Sequence, residues 1–381
     1  MSEPEKDFII SASGQPLAVY FAGDPSRETV ILVHGYPDNH HVWKTVVTDL
    51  ARDFHVVTYD VRGAGESPEP PDTGDYSLPY LALDLQAVMD TVSPNQPVHL
   101  VAHDWGSIQS WEAVTDPALQ TRIASFTSIS GPCLDHMGTW LRNRLTRPSL
   151  EGWRQLMKQA LRSWYIFLFH LPGAGALWRL GLGRLWPALL KLFEGTDAAR
   201  TSTQSGDGYH GVRLYRANML RRLLFPRERY TRVPVQLILP SQDKFVGPDI
   251  FSELSQWVPA LWVRRIDAGH WLPLQSPQWL AQTIRDFVTH LKNPEAPHPH
   301  ARFRCRQVGH ESGRLVVVTG AGSGIGRATT LAYAEQGATV VAADISAEAA
   351  ERTARLGNLG GGKVVPYVVD VSDADAMSHF A

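Results

Sequence analysis

The sequence predicts an α/β protein: a mostly parallel sheet with helices on both faces, one long helical insertion, and a second, smaller βαβ segment at the end. Three observations carry this reading. Short apolar runs rich in β-branched residues alternate with helix-like stretches over residues 1–292. Between about residues 132 and 232 the alternation lapses into a stretch rich in Trp, Leu and Arg that reads as helical and shows no strand. After Leu291 the composition turns to Pro, His and Arg, and a new strand–helix pattern begins at Leu315.

The strands are expected at 30–33, 56–59, 98–102, 126–129, 235–239 and 261–266, and the helices at 80–92, 107–115, 251–258 and 277–291. Strands that alternate with helices need crossovers, so the sheet is parallel and covered on both faces. Open sheets of this kind bind ligands beyond the carboxyl ends of their strands. A helical insertion at 132–232 is placed to lie over those ends as a lid. Residues 1–292 therefore form a first domain, 293–312 a linker, and 313–381 the start of a second domain.

Bulk properties narrow the function classes. The chain has 381 residues, 44% hydrophobic and 19% charged, with a net charge of −2. That is ordinary for a globular protein with a real core and leaves no basic stripe for nucleic acid. The two cysteines, Cys133 and Cys305, have no metal-site spacing, and no metal is expected. The first residues, MSEPEKDF, carry no basic and apolar leader, and no run of about 20 apolar residues could span a bilayer. A cytoplasmic location is expected.

Chemistry enters at Ala102-His103-Asp104-Trp105-Gly106, directly after a strand. Small residues two positions either side of a central acid give the steric pattern of a sharp strand-to-helix turn that exposes a nucleophile. The tip here is Asp104. A carboxylate can open a carbon–oxygen or carbon–halogen bond at an sp³ carbon and form an ester. Alone, the pattern fits equally an Asp that caps the next helix. His34-Gly35-Tyr36-Pro37 follows the preceding strand and could aim the Tyr36 N–H at the same point as the Trp105 N–H, making an oxyanion hole; an ordinary turn is the alternative reading. Asp243 and His270 each sit just past the end of a strand, in the order nucleophile, acid, histidine. A histidine so placed reads as a base tuned by its carboxylate partner.

These stretches together resemble the α/β-hydrolase superfamily, in its epoxide hydrolase and haloalkane dehalogenase branch. The matching segments are HGYPDN at 34–39, DVRGAGES at 60–67, AHDWG at 102–106, SQDKFV at 241–246 and AGHW at 268–271. The resemblance implies two lid tyrosines over the nucleophile. WYIFLFHLPG at 164–173 points to Tyr165, and GYHGVRLYRANM at 208–219 points to Tyr215. Phenol O–H groups can donate to the oxygen released as an epoxide opens. Both could instead be amphipathic lid residues. Tyr36 stands where Phe is frequent in the family, and His170 where Gln is frequent.

The implied reaction turns an apolar aryl or lipid-derived epoxide and water into a vicinal diol without a cofactor. A haloalkane or haloacid dehalogenase with the same nucleophile is the first alternative. Haloalkane dehalogenases often carry Asn where Tyr36 stands, and fluoroacetate dehalogenases carry Arg just after the nucleophile, where Trp105 and Gly106 stand here. A non-catalytic hydrolase-fold module of a fused reductase is the second alternative. Asp104, Asp243 and His270 kept together argue against it. The aromatic and leucine side chains Trp153, Trp164, Phe167, Phe169, Leu177, Trp178 and Trp186 suggest a roomy apolar pocket, although most could simply hold lid helices on the core. A homodimer is compatible with the sequence. Asp60, Arg62, Gly63, Gly65 and Ser67 read as structural, fixing a loop behind the site.

The last segment carries Thr319-Gly320-Ala321-Gly322-Ser323-Gly324-Ile325-Gly326 between a strand and a helix. It resembles the glycine loop of short-chain dehydrogenases. Glycines let the backbone approach a pyrophosphate at a helix N-terminus. The resemblance implies an NAD(P) site in a partial Rossmann segment, with Gly320, Ser323, Gly324, Ile325 and Gly326 at the phosphates, Asp344 at the ribose and Asp370 at the adenine. That family's catalytic Ser, Tyr and Lys lie downstream of Ala381, so no dehydrogenase activity is expected from these residues.

Overall fold

A computed structural model describes residues 5–293, 314–335, 338–359 and 363–380. Two sheets organise the described residues, and each is taken by itself. The linker expected at 293–312 lies, apart from Asn293, outside the described residues.

The larger sheet has eight strands: β1 (Glu5–Ile10), β2 (Pro16–Ala22), β3 (Thr29–Val33), β4 (His55–Tyr59), β5 (Val98–His103), β6 (Ile123–Ile129), β7 (Val235–Pro240) and β8 (Leu261–Ile266). Their spatial order is β1-β2-β4-β3-β5-β6-β7-β8. Strands β4, β3, β5 and β6 run parallel, in a register where Leu32 faces Val101 and Val101 faces Thr127. Every residue of β3, β4 and β5 is buried, as double-sided cover demands of continuous apolar runs. The first two strands are an antiparallel extension that the sequence pattern does not announce. Strand β1 reads EKDFII and is exposed apart from Ile9, so it lacks the apolar alternation that signals a strand.

Around the sheet run α1 (Lys44–Leu50), α2 (Leu78–Val92), α3 (Trp105–Val114), then the insertion, then α9 (Leu272–Gln275) and α10 (Pro277–Lys292). Val46 and Leu50 of α1 and Ile284 and Val288 of α10 share one apolar cluster with Val30 and Leu32 of β3. The insertion is all helix among its described elements: α4 (Leu134–Thr146), α5 (Leu150–Arg162), α6 (Trp164–His170), a π-helical turn at Trp178–Leu182, α7 (Gly183–Glu194) and α8 (Gln204–Leu224). One helix expected from the sequence is not formed. In place of a helix at 251–258 stand two short 3-10 turns, Pro248–Phe251 and Leu254–Gln256. The buried Phe251, Leu254 and Trp257 repeat every third residue, which suits the tighter helix rather than the 3.6-residue one.

The smaller sheet has β9 (Leu315–Thr319), β10 (Thr339–Asp344) and β11 (Lys363–Val368), all parallel, in the order β11-β10-β9. Helices α11 (Gly324–Glu335) and α12 (Ala347–Leu359) connect them, and α13 (Ala374–Phe380) follows. Order 3-2-1 is half of a doubly wound sheet. Ala334, Val340, Ala342, Ala354 and Val364 form its core. Val317 and Tyr367 stay exposed.

Candidate active site

Strand β5 delivers Asp104 to the first position after its carboxyl end, with φ 52° and ψ −123°. Such a backbone costs a non-glycine residue about 1–3 kcal/mol and persists only where its surroundings enforce it. The turn closes because its neighbours lack side chains. A Cβ on Gly35 would lie 2.4 Å from Asp104 Oδ1, one on Gly106 2.2 Å from the Val33 carbonyl, and one on Gly131 2.2 Å from the Asp104 carbonyl. Gly131 belongs to the loop after β6, and nothing in the sequence around residue 104 points to it.

The Tyr36 N–H donates to Asp104 Oδ1 at 2.7 Å. Trp105 opens α3, whose first N–H groups have no partner within the helix. On the other carboxylate oxygen, His270 Nε2 lies 3.4 Å from Asp104 Oδ2. His270 Nδ1 donates to Asp243 Oδ2 at 3.0 Å, while Asp243 Oδ1 accepts from the Phe245 and Val246 N–H groups, both at 2.8 Å. The imidazole is thus held at both nitrogens between two carboxylates, all in the interior.

Electrostatics follow from this placement. Burial works against a charged imidazolium, but the Asp243 carboxylate and then Asp104 outweigh it, so the His270 pKa stands well above the usual histidine value. Burial would raise the Asp243 pKa, and the His270 partnership and backbone N–H groups bring it below the ordinary range. Burial, then the nearby Asp104 charge, drives Tyr165 up; burial, then Tyr165 and Asp104, drives Tyr215 up. Both phenols therefore keep their protons and remain donors.

The lid brings Tyr165 and Tyr215 to the same place. Their ring centroids are 5.9 Å apart. Tyr215 packs on Trp105 at 4.8 Å and Tyr36 at 5.4 Å, and Tyr165 on Phe245 at 5.5 Å, which itself contacts His270 at 5.0 Å. Of the seven residues expected to shape a pocket, three turn inward: Phe169 packs on Tyr36 and Tyr215, Trp178 on Tyr36, and Trp186 on Trp271. The other four correct that expectation. Trp153, Trp164, Phe167 and Leu177 are 50%, 64%, 70% and 47% exposed. They occupy the outer side of their helices, which a count of aromatic residues does not distinguish from the inner one.

Two buried carboxylates beside the site were not anticipated. Asp38 accepts from Trp271 Nε1 at 2.9 Å, and burial raises its pKa to about 7. Glu194, at the end of α7, accepts from the His270 N–H at 2.8 Å. The HGYPDN segment contains Asp38, so its motif was a signal; Glu194 lies in a lid stretch without one. The lid is also tied down at both its ends. Arg227 bridges Glu112 of α3 and Asp135 of α4 at 2.9 and 2.8 Å, and Arg229 donates to the Glu112 carbonyl at 2.7 Å. Behind the site, Asp60 accepts from His40 and Tyr20, and Arg62 grips Asp84 through two bonds of 2.6 Å.

In the smaller sheet, Gly320 and Gly324 have φ of 64° and 50°, and a Cβ on Gly326 would lie 2.2 Å from the Gly320 carbonyl. Ser323 closes the turn, and Ile325, in the first turn of α11, is exposed. These features fit the close backbone approach that a pyrophosphate requires. Asp344 ends β10, where its Oδ2 accepts from the Gly322 N–H at 2.7 Å. Asp370 follows β11 and is exposed; its carboxylate accepts from Ser372. Among the described residues, no group of three or more His, Cys, Asp or Glu side chains could hold a metal ion.

Comparison with known proteins places the fold of both parts of the chain. The family model for the alpha/beta hydrolase fold matches residues 28–277, and that for short chain dehydrogenases matches residues 314–381. A protein of Mycobacterium tuberculosis named "Probable oxidoreductase EphD" is 39% identical over 98% of this chain. The chain spans 64% of that relative's length. Epoxide hydrolase 3 of Xenopus tropicalis is 25% identical, over 70% of this chain and 73% of its own. A crystal structure of a Bacillus megaterium epoxide hydrolase with an inhibitor superposes with a TM-score of 0.62 at 23% identity, covering 74% of this chain and all of that one. At that identity the likeness is one of fold. With well over half of its length matched by the first family model, the chain belongs to the α/β-hydrolase fold family.

Proposed function

We propose that residues 1–292, with the lid at 132–232, form an epoxide hydrolase that works through an ester on Asp104. The observation that carries this is the division of labour around one carboxylate. Asp104 Oδ1 accepts from the Tyr36 N–H, Oδ2 lies by His270 Nε2, and two protonated phenols share the space above. The carboxylate attacks an epoxide carbon while Tyr165 and Tyr215 donate to the oxygen that leaves it. His270, oriented by Asp243, then takes a proton from water, which attacks the ester carbonyl. Charge builds on the ester carbonyl oxygen, which the Tyr36 and Trp105 N–H groups hold. The enclosing aromatic side chains favour an apolar substrate, aryl or lipid-derived.

A single turnover in ¹⁸O-water tests the scheme. Oxygen from water attacks the Asp104 carbonyl, so label is expected in the Asp104 carboxylate and not in the first diol released. Label found in that diol and absent from the protein would mean direct attack by water. Halide release from a matching haloalkane, with no diol from the epoxide, would move the protein to the dehalogenases.

The tyrosines share one job, so either alone leaves a donor in place. Tyr165→Phe or Tyr215→Phe is expected to lower the alkylation rate about 10-fold to 100-fold, and the double variant by about 10²–10⁴-fold. Rapid-quench measurement of ester formation checks this. A double variant with an unchanged alkylation rate would remove both from the mechanism.

For residues 313–381 we propose a partial Rossmann segment whose glycine turn and Asp344 suit NAD(P). Gly320, Ser323, Gly324, Ile325 and Gly326 would hold the phosphates, and Asp344 and Asp370 the adenosine. No hydride transfer is assigned to these residues.

A further inference from the structure

Helix α5 is amphipathic in the wrong direction for a helix that serves its own core. Leu150, Trp153, Met157 and Leu161 are 93%, 50%, 57% and 72% exposed, whereas its buried positions are Gly152 and Gln159. The apolar residues follow spacings of three and four and so form one stripe along the outer face. The same phase continues into α6 with Trp164, Phe167 and then Leu171, at 64%, 70% and 55%. Helix α7 repeats the arrangement, with Leu185 and Leu192 at 59% and 75%, one i,i+7 step apart. Single exposed leucines are unremarkable, but three helices of one insertion that each turn a stripe outward are not.

Charge says what covers these stripes. Residues 132–232 hold 17 Lys and Arg against 6 Asp and Glu, a balance of +11 in a chain whose total is −2. Arg154 and Lys158 are exposed beside the α5 stripe, and Arg184 and Lys191 beside that of α7. A second copy of the chain would bring these like charges face to face. An anionic lipid surface satisfies both features at once: acyl chains take the apolar stripe, and phosphate headgroups meet the flanking cations. We propose that the lid docks on an anionic bilayer surface through the outer faces of α5, α6 and α7. No helix among the described residues is long and apolar enough to cross a membrane, so this is attachment at the interface.

Tyr165 lies between the exposed Trp164 and Phe167 in sequence but points to the inner side of α6, where it packs on Tyr215, so one helix faces both bilayer and site. Delivery of a lipid-borne epoxide from the surface to Asp104 rests on the hydrolase reading; the docking itself does not.

Flotation of the full chain with vesicles tests the docking. Binding is expected to vesicles of phosphatidylcholine with phosphatidylglycerol, to weaken as salt rises, and to be at least about 10-fold weaker with phosphatidylcholine alone. Brominated acyl chains should quench part of the tryptophan fluorescence. Met157→Glu with Leu161→Glu should cut binding about 10-fold or more while diol formation from a small soluble epoxide and the melting temperature stay as they were. No binding to the anionic vesicles, or binding that the double variant retains, overturns the proposal. Self-association that the double variant abolishes, without vesicle binding, would assign the stripes to a second copy instead. Vesicle binding by a chain inactive on every epoxide would keep the docking and remove the hydrolase reading.

Discussion

Asp104→Ala is expected to abolish diol formation, by about 10⁴-fold or more, and to leave no ester for mass spectrometry to find. The size follows from its place in the proposed scheme. The carboxylate forms the covalent bond, and His270 and the N–H donors act on the ester it creates, so their contributions vanish with it. Alanine keeps the strained backbone with φ at 52°, so loss of the nucleophile has to be separated from any loss of fold. Asp104→Gly separates the two effects. Glycine adopts that backbone without the steric cost, so this variant should melt about 2–4 °C above Asp104→Ala for each kcal/mol of strain relieved. Calorimetry beside the activity assay reads both. An Asp104→Ala protein that still makes diol at a tenth of the normal rate would leave this carboxylate without a role in bond formation.

Much of the larger sheet was legible because its central strands are buried on both faces, and such strands write themselves as unbroken runs such as Thr29–Val33. The candidate site was legible for a related reason. Asp104, Asp243 and His270 each follow a strand end, and strand ends in a parallel sheet converge. What the sequence left out is what depends on the third dimension. Gly131 meets the Asp104 carbonyl from a loop 27 positions later, and Glu194 reaches the His270 N–H from the lid. Neither has a local pattern. The outward phase of Trp153, Trp164 and Phe167 was missed because composition counts an aromatic residue without saying which way its helix is turned. The strand β1 failed as a signal because an exposed edge needs no apolar alternation.

His270→Gln should divide the reaction into its two halves. Ester formation continues, and its hydrolysis slows by about 10²–10⁴-fold, so the intact protein gains the mass of one epoxide. The proton balance gives the reason. In the resting enzyme burial disfavours the imidazolium, but Asp243 and then Asp104 hold its pKa well above the usual value. Alkylation turns Asp104 from an anion into a neutral ester, and the epoxide oxygen takes a proton from the tyrosines that the His270 imidazolium makes good. Removing one of two stabilising anions lowers the His270 pKa at the moment a proton is needed, so the cycle leaves a neutral imidazole beside the ester. Water then supplies the proton that His270 regains as the Asp104 carboxylate is released. Alkylation should therefore slow as pH rises through the raised His270 pKa. The stability from the charged histidine has the same sign: it is fully present below the unfolded value near 6.5 and is lost as pH rises through the folded one. Single-turnover rates against pH, in the wild type and in His270→Gln, check both. The alkaline decline should disappear in the variant. A variant that accumulates no adduct yet turns over normally would mean that another group activates water, and the pairing of His270 with Asp243 would then be structural.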